Sequence, residues 1–217
     1  EIQTLFGGGA FVLAPQTPTF WMNAGEGMTR GQTNDIYNAA VFALIEDFVA
    51  KNPLVDPTRI YVGGCSNGGY MSLKLILEHP TYFAAGYISA LAYNNEFISD
   101  AQVQLLKQVP IWFVHSKDDM TTKPDETVVP LYHRMKQAGA KNVILSYYDN
   151  VTDVNWEAVE NLLYDGHYSQ EQQTCLQDDT SRFGTPLLSP LLEYLAASLV
   201  VDSQASPHTF LLFASAF

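Results

Sequence analysis

A mostly parallel β-sheet with helices on both faces is the fold class this sequence predicts, and three observations predict it. Apolar runs of strand length alternate along the chain with stretches whose apolar residues recur at helical spacing, the rhythm of strand-helix-strand units. Pro, Gly and the pairs Asn52-Pro53 and His79-Pro80 punctuate the boundaries between them. At 217 residues and 47% apolar content the chain is long enough for one sizeable core, so a single α/β domain is expected, with 198–217 as an atypical tail.

Ala10 to Pro15 (AFVLAP) is a short apolar run ended by proline, as expected of a buried strand. Residues 34–51 carry apolar side chains at helical spacing, with Asn34 or Asp35 placed to cap the helix and Asn52-Pro53 to stop it. Asp56-Pro57 makes a turn, Arg59 to Gly63 reads as a strand, and Asn67 to Glu78 as a helix closed by His79-Pro80. A strand near Ala84 to Ser89, a strand at Pro110 to His115 (PIWFVH), a helix near Val128 to Ala138, a strand at Asn142 to Tyr147 and a helix near Leu187 to Leu199 complete the alternation. There is no internal repeat and no low-complexity linker.

The 23 acidic residues against 11 basic ones give a formal net charge of -12, which repels nucleic acid and anionic membrane surfaces. No run of 18 apolar residues implies a membrane span, and the chain opens at Glu1 without a basic-then-apolar leader. Cys65 and Cys175 are too few for a disulfide scaffold and lack C-x-x-C spacing, so no metal site is expected.

Gly64-Cys65-Ser66-Asn67-Gly68 matches G-x-S-x-G between a predicted strand and a predicted helix. Glycines two before and two after the serine let the backbone bend sharply and push the hydroxyl out at the end of the sheet. The helix N-terminus behind it favours negative charge, and the Asn67 amide is positioned to bind a developing oxyanion. A serine hydroxyl is a poor nucleophile until a base takes its proton, so this reading requires a histidine and a carboxylate to orient it, in the chain order Ser, acid, His. PIWFVHSKDD ends a strand with Asp118 and Asp119, either of which can be the orienting acid. Of the five histidines, His79 closes a helix, His133 lies within one and His115 precedes the acids. His167, in the glycine-containing loop DGHYS, is preferred over His208 in the tail.

GGCSNGGYM, PIWFVHSKDD followed by TTKPDETVVPLYHRMKQAGAKNV, and DGHYS together resemble the α/β-hydrolase superfamily, and within it the bacterial prolyl-oligopeptidase-like and carboxylesterase or feruloyl-esterase group. The resemblance runs from about residue 10 to about residue 197. Such proteins read H-G-x-x-D before the acid, so counting four from His115 selects Asp119, with Ser116 in place of the glycine; their G-H matches Gly166-His167. The resemblance also implies first strands, and an oxyanion loop after one of them, that the ten residues before Phe11 are too few to supply. Leu5 to Gly9 offers a substitute amide or merely a frayed entry to the first strand. Missing strands leave a sheet edge unpaired, which favours a homo-oligomer. The apolar tail SLVVDSQASPHTFLLFASAF matches nothing in the family and is expected to pack on exposed core or to be an artefact of the sequence. By resemblance to feruloyl-esterase and tannase-like relatives, Cys65 and Cys175 form a bridge between the serine and histidine segments; two buried thiols are the alternative.

Residues 149–165 and the loop FWMNAGEGM are expected to wall the site, with Trp21, Trp156 and Tyr164 lining a pocket or simply packing. Few basic residues lie near the motifs, so an uncharged small-molecule ester fits better than an anionic substrate or a charged peptide. The expectation is therefore a cofactor-independent serine hydrolase of carboxylic esters using Ser66, His167 and Asp119, with Asn67 in the oxyanion site. A short-peptide peptidase, or a non-catalytic protein of the same fold lacking a complete oxyanion hole, are the alternatives.

Overall fold

The computed structural model describes residues 10–22 and 36–149, and the backbone alone of 208–214. The strands are β1 (Ala10–Leu13), β2 (Val55–Cys65), β3 (Ala85–Ser89), β4 (Ile111–Ser116), β5 (Val143–Tyr148) and β6 (His208–Ala214). The helices are α1 (Asn38–Lys51), α2 (Asn67–Glu78), α3 (Asp100–Leu106) and α4 (Val128–Gln137). The six strands form one sheet in the order β1-β6-β2-β3-β4-β5, every neighbouring pair parallel.

Parallel strands need crossovers, and each apolar run alternates with a helix for that reason. From β2 to β5 the chain steps one strand at a time in one direction through α2, α3 and α4. The helices touch in the order α1, α2, α3, α4. β3 and β4 are buried at every residue, on both faces, which is why AGYIS and IWFVHS read as near-continuous apolar runs rather than alternating ones. Ile60, Val62, Leu73, Ile76, Ile88 and Phe113, each at most 1% exposed, form the centre of the core.

α1 buries Asn38, Val41 and Ile45, one stripe at helical spacing. It starts at Asn38, later than the sequence suggests, and Tyr37 at its N-cap makes no side-chain capping bond; Asn34 and Asp35 lie outside the described residues. The expected Asp56 turn exists inside the span of β2. Asp56 Oδ1 accepts from the Thr58 amide at 2.8 Å and its hydroxyl at 2.7 Å, and the register against β6 shifts between Val55 and Ile60. α3 escaped the sequence reading, although Ser99 and Gln102 form a full capping box at its start. The helix expected near 187–199 lies outside the described residues.

β6 corrects the reading of the tail. Instead of lying on exposed core, its backbone enters the sheet between β1 and β2, with Phe210 opposite both Phe11 and Ile60 and Ala214 opposite Gly64. A strand seated between two others is paired along both edges, and the apolar run HTFLLFA suits such a position. With all strands parallel, Cys65, Ser89, Ser116, Tyr148 and Ala214 end at one edge of the sheet. Functional loops of open parallel sheets gather at this carboxyl edge.

Candidate active site

Ser66 is the residue between β2 and α2, with φ 54° and ψ -116°. A non-glycine residue at positive φ is strained by roughly 1–3 kcal/mol and persists only where its surroundings over-determine it. Here they do. The Ser66 amide donates to the Ser89 carbonyl at 2.9 Å, and its own carbonyl accepts from the Tyr70 amide at 3.0 Å and the Ala92 amide at 3.3 Å. The turn is thus pinned to the end of β3 on one side and to the first turn of α2 on the other.

Sterics close the arrangement at Gly69, one residue beyond the G-x-S-x-G pattern. A Cβ there would lie 3.0 Å from the Ser89 carbonyl oxygen and 3.3 Å from that of Gly64. Only a glycine lets α2 come this near the two strand ends that carry the turn. Asn67, 3% exposed, is the first residue of α2, where no carbonyl stands four residues back to take its N–H. Its side-chain Oδ1 has no hydrogen-bond partner among the described residues. The helix N-terminus therefore presents amides and a partial positive charge beside the Ser66 hydroxyl.

Two strands away along the same edge, the loop after β4 separates the two candidate acids. Asp118 is exposed and accepts a hydrogen bond from the Ser116 hydroxyl. Asp119 is 2% exposed. Its Oδ1 accepts from the amides of Thr121 at 2.8 Å and Thr122 at 2.9 Å, and its Oδ2 from the Thr122 hydroxyl at 2.7 Å. These bonds require an acceptor, and they favour the charged carboxylate at a buried position. Thr122 Oγ1 also lies 3.2 Å from the Ala90 carbonyl, and the Ala90 amide donates to Val114 at 2.9 Å. Ala90, at φ 44°, is the second strained non-glycine residue. A continuous set of hydrogen bonds thus joins the Ser66 turn, the end of β3 and the Asp119 loop. Tyr148, opposite Ser116 on β5, stays protonated: burial raises its phenol above the ordinary tyrosine value, with the Ser146 hydroxyl partly offsetting.

The histidines divide clearly. His79 stacks on Phe42 with ring centroids 3.4 Å apart, and His133 packs against Tyr132 within α4. His208 begins β6 opposite Val55, at the amino edge. The rise of β6 alone sets it on the order of 20 Å from the carboxyl edge. His115 is fully buried with Nε2 3.3 Å from Asp119 Oδ2, and neither ring nitrogen bonds Ser66. His167 lies outside the described residues, as do Cys175, Trp156, Tyr164 and Leu5 to Gly9. Cys65 is half-buried at the end of β2. Trp21, 2% exposed, packs edge-on against Tyr37, so it serves the core. Gly69, Thr122 and Ala90 are site-building residues that the sequence reading passed over. The doubled glycine in NGG and the threonine three places after Asp119 were the available signals.

No group of three or more His, Cys, Asp or Glu side chains among the described residues could hold a metal ion. No described helix is long and apolar enough to cross a membrane.

Residues 21–102 match the sequence model of the prolyl oligopeptidase family, a stretch that contains Ser66 and Asn67 but stops short of Asp119. No curated protein matches the chain significantly. Among solved structures, a variant of SOBER1 from Arabidopsis thaliana is 18% identical with a TM-score of 0.53, covering 91% of this chain and 90% of that one. A thermostable esterase is 25% identical with a TM-score of 0.47, covering 64% of this chain and 36% of its own. An acylaminoacyl peptidase from Pyrococcus horikoshii is 20% identical with a TM-score of 0.41, covering 52% of this chain and 23% of its own. The chain thus spans about a third or less of the length of these last two. It has the α/β-hydrolase fold and, across the stretch that carries the Ser66 turn, is similar to the prolyl oligopeptidase family of serine hydrolases.

Proposed function

We propose that this protein hydrolyses uncharged carboxylic esters through an acyl-enzyme, with Ser66 as nucleophile, His167 as general base and acid, and Asp119 orienting the imidazole. The observation that carries the reading is Ser66 itself, a strained residue at φ 54° held between β2 and the N-terminus of α2. Strain of this kind has no packing purpose for a small polar side chain, and it sets the hydroxyl clear of the sheet. Asp119 is preferred over Asp118 because it is buried and held by three hydrogen bonds, whereas Asp118 is exposed.

In this mechanism His167 removes the Ser66 proton as Oγ attacks the ester carbonyl. The tetrahedral oxyanion forms beside the Asn67 amide, and the imidazolium then protonates the departing alcohol. Water repeats the sequence on the acyl-enzyme and releases the acid. The match of residues 21–102 to the prolyl oligopeptidase family favours a second reading, cleavage of short peptides by the same groups. The test is hydrolysis of p-nitrophenyl acetate and of short peptide amides by the protein and by Ser66→Ala. The ester is expected to turn over and the variant to lose at least about 10³-fold in kcat. Equal turnover by the variant would sink the proposal, and turnover of peptides alone would transfer it to the second reading.

A further inference from the structure

We propose that His115 is a positioning residue for Asp119, an internal imidazole that fixes the carboxylate in the plane in which it orients the working histidine. The inference rests on the triad reading above. His115 is the next-to-last residue of β4, fully buried, and aims Nε2 at the two atoms that define the acid's seat: Asp119 Oδ2 at 3.3 Å and Thr122 Oγ1 at 3.4 Å. Its Nδ1 is buried and has no hydrogen-bond partner among the described residues. A proton on Nε2 meets the Thr122 hydroxyl oxygen with Asp119 Oδ2 beside it, whereas a proton on Nδ1 finds no acceptor among the described residues, so the Nε2–H tautomer is the one these surroundings select.

A buried imidazole with one nitrogen unpaired among the described residues is an expensive choice for core filling after the apolar run Ile111, Trp112, Phe113 and Val114. What the imidazole adds is a third direction of restraint. The Thr121 and Thr122 amides fix Oδ1, the Thr122 hydroxyl fixes Oδ2 from the loop side, and His115 meets Oδ2 from the strand side. Because β4 is hydrogen-bonded to both β3 and β5, this restraint comes from the rigid sheet rather than from the loop. Loss of it removes the contact that Asp119 Oδ2 makes with β4.

A double-mutant cycle separates this role from simple packing. kcat and KM for p-nitrophenyl acetate are measured for the protein, His115→Phe, Asp119→Asn and the double variant, with thermal melts of all four. Expected are a ten- to hundredfold loss of kcat in His115→Phe, which keeps a ring but has no N–H, KM unchanged within about twofold, and no further loss when His115→Phe is added to Asp119→Asn. The same fold-loss in both backgrounds, or no loss in the first, overturns the proposal while leaving the triad standing. Full activity in Asp119→Asn overturns the triad reading and this inference with it. Should His115→Phe not fold, His115→Asn takes its place in the cycle. Its amide ends at the position of Nδ1, short of Oδ2, and the same two patterns decide.

Discussion

Ser66 and Asp119 sit at the same edge of one parallel sheet, yet the chain holds them by opposite means. Ser66 is held by backbone: three main-chain hydrogen bonds, a helix that starts at the next residue, and the absence of a side chain at Gly69. Asp119 is held by the groups its own carboxylate gathers, the Thr121 and Thr122 amides, the Thr122 hydroxyl and the His115 ring. The first arrangement is rigid before any side chain is considered. The second exists only while the carboxylate is there to organise it.

The largest effect that follows from this contrast is at the acid. Asp119→Asn keeps the side-chain volume but replaces an acceptor-only group with one that also carries N–H donors, facing amides that need acceptors. A loss of about 10³ to 10⁴ in kcat is expected if Asp119 orients His167, together with destabilisation of roughly 1–3 kcal/mol from the unmatched buried donors. Asp118→Asn, exposed one residue earlier, is the control that sharpens the comparison. It should change stability by no more than about 0.5 kcal/mol and kcat by less than about threefold. Denaturant melts and ester kinetics on the pair read both quantities, and an inert Asp119→Asn beside a damaged Asp118→Asn would reverse the assignment.

A smaller effect is expected at the nucleophile turn. Gly69→Ala places a Cβ 3.0 Å from the Ser89 carbonyl, a backbone atom that cannot rotate away. The helix must shift by a few tenths of an ångström, at a cost of roughly 1–3 kcal/mol. Since Ser89 also receives the Ser66 amide, kcat should fall about tenfold or more while KM stays nearly constant. An unchanged melting temperature would show that the close approach is not needed.

These differences also explain what was legible in the sequence. The turn was, because its restraints are local: glycines, a strand run and a helical pattern fall within residues 59–78. The buried strands were as well, since AGYIS and IWFVHS are covered on both faces and need no alternation to be recognised. The acid's cradle was not: counting from His115 by resemblance selected Asp119, but the burial and bonds that hold it depend on where Ala90 and Thr122 arrive in space. β6 was missed for the same reason in stronger form. Its partners in the sheet, Phe11 and Ile60, are about 200 and 150 residues away along the chain, and no local pattern encodes a pairing at that range. α3 was the avoidable omission, with S-x-x-Q at residues 99–102 in plain view.

The most direct test of the central claim is intact-mass analysis after brief exposure to a fluorophosphonate, comparing the protein with Ser66→Ala. An activated serine on a strained turn predicts a single adduct on the protein and none on the folded variant. Equal labelling of both, or none on either while both remain folded, would contradict the assignment of Ser66 as the nucleophile.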